Sequence, residues 1–201
     1  MTDALHEQLK HETWHLHKQL EKTALAHQLS TQTITHRDYI RYLEIMGTVH
    51  CAVEHLCQSF PQFAKFGFLL HEHSRCDLIK QDLSHLCANS AVPTIWLQKP
   101  KQTFITKFEH AIGYLYVLEG STMGGQILAP KLHQRRPELR PALNYLSGYG
   151  AATAQRWQSF WQFIARFQLS GDCCEQEIIH AARHLFSHLI EEMSHDSNAK
   201  D

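Results

Sequence analysis

Lys10, His17 and Glu21 lie in the stretch LKHETWHLHKQLE, Leu9 to Glu21, with types and spacing that suit metal chemistry. At about 100° per residue, Lys10 is almost in line with His17 two turns earlier, and Glu21 follows one turn later. A neutral imidazole can coordinate a metal. A carboxylate near its other nitrogen can orient the ring and raise its basicity. A lysine on the same side can meet an acidic group of a ligand at a pocket mouth.

A second stretch, LYVLEGSTMGGQIL from Leu115 to Leu128, carries Gly120, Gly124 and Gly125 inside a helical pattern. Each interior glycine costs a helix roughly 1 kcal/mol relative to alanine. On a helical wheel Gly113, Gly120 and Gly124 fall within about 40° of one another. Val117 shares that stripe, with Ser121 on one flank and Tyr116 and Ile127 on the other. The opposite face, with Phe104, Phe108, Ala111, Ile112, Leu115 and Leu118, is bulky and suits a core. A stripe without side chains lets something approach the main chain. Three things could do so: a crossing helix, a chain turning out of the helix at Gly124-Gly125 before Pro130, or a flat ligand. A flat ligand suggests haem, which needs an axial ligand. His11 and His15 lie on the solvent side of the leucine stripe; as an i, i+4 pair they could hold zinc or simply be solvated. His17 sits at the edge between core and solvent.

These residues must be positioned by helices. Leu5, Leu9, Leu16 and Leu20 form one stripe of an amino-terminal helix of about 20 residues. Thr35 reads as the N-cap of a second helix, with Asp38 in its first turn, running toward Phe60 and stopping near Pro61. A third spans roughly 72–88. Val92-Pro93 and Lys99-Pro100 punctuate a loop, and a long helix follows from about 101 to 132. After breaks at Pro137 and Pro141, GYGAAT leads into QRWQSFWQFIARF, and EQEIIHAARHLFSHLIEEM forms the last amphipathic helix. No alternating strand pattern, repeat or linker is visible. The expectation is one all-α domain over residues 1–195 with a frayed tail at 196–201.

The 201 residues can bury a core and a ligand pocket, and 43% of them are hydrophobic. A net charge of −1 argues against nucleic acid as a partner. No apolar run approaches the roughly 20 residues of a membrane span, and the polar start MTDALHEQLKHE is unlike a secretory signal. A cytoplasmic location is expected. Six cysteines without a C-x-x-C pair read as free thiols.

The segment LKHETWHLHKQLE resembles the proximal-histidine segment of haem oxygenases, Leu-Lys-x-x-Thr-x-x-x-His-x-x-x-Glu. LYVLEGSTMGGQIL is similar to the distal-helix segment of their bacterial branch, which includes enzymes that accompany bacteriophytochromes. GYGAATAQRWQSFWQF, Gly148 to Phe163, and RCDLIKQDL, Arg75 to Leu83, extend the resemblance over nearly the whole chain, in order. It implies a single-domain helical bundle with haem sandwiched between proximal and distal helices. His17 would be the axial ligand of the haem iron, Glu21 its support and Lys10 a propionate partner. Gly120, Ser121 and Gly124 would form the distal surface, with Tyr116, Val117, Gly125 and Arg156 at the pocket. The implied reaction opens the macrocycle to biliverdin, releasing carbon monoxide and ferrous iron, with O2 and external electrons.

Two departures stand out. Ser121 occupies the place of an aspartate in animal haem oxygenases. Gln158 and Gln162, with Arg156 nearby, stand where those enzymes present basic residues to propionates. Electrons could come from a ferredoxin, flavodoxin or NADPH-linked reductase, and Lys10, Lys18, Lys22, Lys131, Arg135 and Arg136 could form a basic patch for an acidic donor. A bacteriophytochrome is a conceivable acceptor of biliverdin. Two other readings stay open: a haem carrier or sensor on the same scaffold, and a non-haem metal enzyme using His180, His184 and His188 with Glu177 nearby.

Overall fold

The leucine stripe does fold the amino terminus. In the computed structural model, which describes residues 2–87 and 105–194, α1 runs Thr2–Leu20. Leu5 and Leu9 are fully buried, and Leu16 and Leu20 pack at the edge of the core. After α1 come α2 (Ala24–Thr31), α3 (His36–Cys57), the single turn α4 (Gln62–Lys65) and α5 (Cys76–Leu86). The second half holds α6 (Phe108–Arg135), the turn α7 (Asn144–Ser147), α8 (Thr153–Leu169) and α9 (Glu175–Ser194). Among the described residues every regular element is helical, so the fold is all-α.

Helix α2 is absent from the sequence-based expectation. It is only 8 residues long and ends at Gln32 in a left-handed conformation (φ 57°). Helix α3 starts as expected, with the Thr35 hydroxyl accepting from the Asp38 N–H at 3.1 Å.

The third expected helix begins later, at Cys76, behind a 3-10 turn at Leu70–His73. The reason is a cap supplied from another helix. Glu54 of α3 accepts the backbone N–H groups of Arg75 (2.8 Å) and Cys76 (3.1 Å) and the Ser74 hydroxyl. Its carboxylate satisfies amides that the start of α5 would otherwise orphan.

Helix α6 also begins later than expected, at Phe108, and continues to Arg135. Neither Gly124-Gly125 nor Pro130 ends it. Proline removes one backbone bond, but Ala129 and Leu132 on either side are buried and hold the turn in place. The loop expected around Val92-Pro93 and Lys99-Pro100 and the tail at 196–201 lie outside the described residues.

Helix α9 packs along both α6 and α1 and joins the two halves of the fold. Aromatic rings fill the far end, where Phe63, Phe108 and Phe163 lie within 4.8–6.0 Å of one another. Asp82 of α5 is fully buried and accepts from the backbone N–H groups of Asn144 and Tyr145, which fastens α7 to α5. Two cysteines depart from the free-thiol expectation. Cys51 of α3 and Cys76 of α5 form a disulfide with Cα atoms 5.4 Å apart, while Cys57, Cys87, Cys173 and Cys174 are free. The pairing follows from the Glu54 cap, which brings the start of α5 against α3.

Candidate active site

A cavity of about 820 Å³ opens between α1 and α6, with further residues from α2, α3 and α7 to α9. That volume lies in the roughly 300–1,000 Å³ range of small-molecule sites. Lys10, His17 and Glu21 all line it. Nδ1 of His17 is 3.4 Å from Glu21, and the other Glu21 oxygen accepts from Lys18 Nζ at 2.8 Å. Trp14 stacks parallel to the His17 ring at 6.0 Å, and Phe186 of α9 meets that ring edge-on at 6.0 Å. The His17 side chain retains 49% of its surface exposed, and Trp14 is 53% exposed. A histidine held by a carboxylate on one nitrogen offers Nε2 to a ligand.

The glycines of α6 divide into two kinds. A methyl group at Gly113 would lie 2.3 Å from the Ile178 carbonyl, and one at Gly125 would lie 2.4 Å from the Leu146 carbonyl. Gly113 is therefore a close helix crossing with α9. Gly125 lines the cavity with its main chain, but its missing side chain makes room for α7 rather than for a ligand. Gly120 and Gly124 are different. A methyl group at Gly120 would meet only the Trp157 ring, at 3.8 Å, and one at Gly124 would meet nothing within 4 Å. Both line the cavity, as do Tyr116, Val117 and Ser121. Met123 and Ile127, exposed at 43% and 61%, complete an apolar rim with Trp14.

Behind Ser121 stands a cluster absent from the sequence-based site. Arg75 is 2% exposed yet lines the cavity. Its Nη2 donates to the Leu118 carbonyl at 2.6 Å and the Ser121 hydroxyl at 3.0 Å. The same nitrogen is 3.2 Å from His50 Nε2, which also lies 3.2 Å from the Tyr145 hydroxyl. Burial, reinforced by the Arg75 charge, lowers the His50 pKa to about 4, so the ring is neutral at physiological pH. Its Nε2 then accepts from Arg75, and Nδ1 faces Glu54 at 3.5 Å. The Arg75 guanidinium also lies 4.9 Å over the Tyr145 ring. Its Nε is buried without a hydrogen-bond partner, which leaves a polar donor beside the cavity.

The chain matches the Heme oxygenase family over residues 3–195. It belongs to the haem oxygenase family. A heme oxygenase from Xanthomonas campestris pv. campestris is 34% identical over 76 residues, which span 38% of this chain and 45% of that protein. The aligned part is thus less than half of the curated relative. The heme oxygenase of Neisseria meningitidis, in its NO- and CO-bound crystal structures, superposes with a TM-score of 0.68 at 20% identity, covering 97% of this chain and 94% of that one. The fold is that of haem oxygenases.

Within this family fold, some expected residues fall elsewhere. Arg156 does not line the cavity: it pairs with Glu72 and lies 5.9 Å over the Tyr149 ring. Gln158 and Gln162 are exposed and do not line it either. Lys10 and Lys22 are the lysines at the cavity, and neither forms an ion pair among the described residues. From the sequence Lys22 reads only as part of a surface patch; the fold brings it to the cavity.

The alternative metal site on α9 does not assemble. Glu177 is bound by Lys107 at 2.6 Å and His110 at 2.8 Å, which hold its carboxyl down to about 2. His184 Nδ1 pairs with the Tyr114 hydroxyl at 2.6 Å. Among the described residues no group of three His, Cys, Asp or Glu side chains is placed to hold a metal ion.

The cavity suits haem on its own features. It offers one imidazole on α1, open main chain on α6, an apolar rim for a porphyrin face, and two lysines for carboxylates.

Proposed function

We propose that the protein is a haem oxygenase that opens the haem macrocycle to biliverdin, with release of carbon monoxide and ferrous iron. The observation that supports this most is that His17 and the bare backbone at Gly124 line the same cavity. When bound, haem supplies both the iron that activates O2 and the ring that is oxidised.

The chain's own residues have distinct tasks. His17 would hold the haem iron through Nε2, since Nδ1 faces Glu21. A neutral imidazole is a moderate donor, whereas a thiolate would push electron density toward O–O cleavage. Glu21 orients the ring through Nδ1 and is itself held by Lys18. Lys10 and Lys22, both at the cavity, would pair with the propionates. Gly120 and Gly124 present no side chain to the cavity, so the helix backbone itself would border the bound haem; Val117 and Tyr116 extend that wall. Ser121 holds a hydroxyl there, donating to the Leu118 carbonyl at 2.6 Å and accepting from Arg75. Arg75 is a permanent cation and does not release protons. It fixes the serine and keeps the site electropositive. Water bonded to Ser121 can then deliver protons.

The finer assignment is to the bacterial branch, supported by the Glu119-Gly120-Ser121 pattern and the GYGAATAQRWQSFWQF block. On that reading a bacteriophytochrome would be the acceptor of biliverdin. Electrons would come from a ferredoxin, flavodoxin or NADPH-linked reductase, and the basic side chains of Lys10, Lys18 and Lys22, on and just after α1, suit an acidic donor. Among the described residues no helix is long and apolar enough to cross a membrane, and a cytoplasmic location is part of this proposal. Residues 1–195 would form the functional domain.

The test is single-turnover oxidation of the purified haem complex with ascorbate in air, followed by chromatography of the pigment. Biliverdin is expected. Recovery of unchanged haem would instead establish a carrier.

A further inference from the structure

The disulfide lies beside the polar cluster of the cavity. Cys51 directly follows His50, and Cys76 directly follows Arg75. The bond joins positions separated by 25 residues and ties α3 to the first residue of α5. A second tether lies one turn away, where Glu54 accepts the Arg75 and Cys76 N–H groups and the Ser74 hydroxyl. The start of α5 is thus held by a covalent bond at Cys76 and by one carboxylate on the Arg75 and Cys76 amides. From that point its side chain reaches Leu118 and Ser121 of α6. Cys76 is 8% exposed and Cys51 is half-buried, so a thiol reagent would approach from the Cys51 side.

We propose that Cys51 and Cys76 are a reversible thiol–disulfide site that controls how firmly Arg75 is held at the cavity, and through it the affinity for haem. The inference rests on the haem reading above. In the disulfide form both tethers act and Arg75 stays on Ser121 and Leu118. In the dithiol form only Glu54 remains, and the residue gains freedom that a ligand must then remove. The chemistry balances. Reduction by a dithiol transfers two electrons and two protons, giving two protein thiols and an oxidised dithiol. Reoxidation by one hydrogen peroxide gives the disulfide and two waters. In a reducing cytoplasm such a bond is transient and therefore suited to sensing.

Linkage makes the proposal measurable twice. If the disulfide form binds haem about fivefold more tightly, at the low end of typical couplings, haem must favour the disulfide by the same factor. Fivefold corresponds to a reduction potential about 20 mV lower with haem bound, at 29.6 mV per tenfold change. Full-length protein is equilibrated, with and without haem, in mixtures of reduced and oxidised dithiothreitol. Free thiols are then alkylated and the peptides carrying Cys51 and Cys76 are weighed. In parallel, hemin is titrated into fully oxidised and fully reduced protein. The expected result is joint two-electron titration of the two cysteines, a lower midpoint with haem, and weaker hemin binding after reduction. The Cys51→Ser variant should bind hemin like the reduced protein in every mixture. Equal hemin affinity in both states with equal midpoints would overturn the proposal while leaving the haem reading intact. So would free thiols at both positions in the most oxidising mixture. No hemin binding in either state would overturn the haem reading and the switch with it.

Discussion

Arg75 Nη2 donates to the Ser121 hydroxyl at 3.0 Å, and the same nitrogen donates to the Leu118 carbonyl at 2.6 Å. A buried cation from the start of α5 therefore grips α6 just where its side chains thin out. Ser121 is thus not alone, because a guanidinium orders it.

The first prediction is that Ser121 and Arg75 act as a unit. Ser121→Ala and Arg75→Lys should each slow haem turnover, and the double variant should be less impaired than the two effects added. A coupling of about 1 kcal/mol is expected for groups that share a hydrogen bond. Single-turnover rates with ascorbate for the four proteins of the cycle measure it, and strict additivity would contradict the shared role.

The glycines should separate by stability in the ligand-free protein. Gly124→Ala adds a methyl group in open space and should stabilise α6 by up to about 1 kcal/mol. Gly125→Ala pushes against the Leu146 carbonyl and should destabilise by about 1–3 kcal/mol. Urea unfolding would show the opposite signs. The larger Gly124→Leu should fold but lose haem binding.

Acid should weaken the fold through His50. Its folded pKa of about 4 lies below the usual histidine value of 6.5, so the unfolded chain takes up a proton that the folded chain refuses. Stability is complete above the unfolded value and falls as pH drops through the window from 6.5 to 4. Between pH 7 and pH 5 the loss is about 2 kcal/mol. Urea unfolding of wild type and His50→Gln at both pH values checks this. The variant should lose less of its stability on acidification.

Glu21 should tune the iron. Replacing its carboxylate with an amide in Glu21→Gln weakens the support at His17 Nδ1, so the imidazole donates less and the reduction potential of bound haem should rise. Because the pair is half-exposed, turnover should fall by roughly tenfold at most. Spectroelectrochemistry of the two haem complexes reads the shift directly, and an unchanged potential would remove Glu21 from the account.

Local signals made much of this legible in the sequence. The leucine stripe fixed which side of α1 holds His17, and the Thr35 cap marked the start of α3. The wheel could not separate Gly113 from Gly120 and Gly124, because the distinction depends on where α9 lies against α6. Arg75, His50 and Tyr145 were missed for a related reason. They come from three distant segments and meet only through folding, and a lone arginine at a helix start carries no sign that it will be buried. Arg156 misled by proximity in sequence, since its turn of α8 faces Glu72 rather than the cavity. Helix α2 was missed because 8 residues give too few turns for a period to show.

The most direct test of the central claim is the resonance Raman spectrum of the ferrous haem complex, compared between wild type and His17→Ala. The iron–imidazole stretching band should be present in wild type, absent in the variant, and restored when imidazole is added. The same band persisting in His17→Ala without added imidazole would place the iron on another residue and contradict the account.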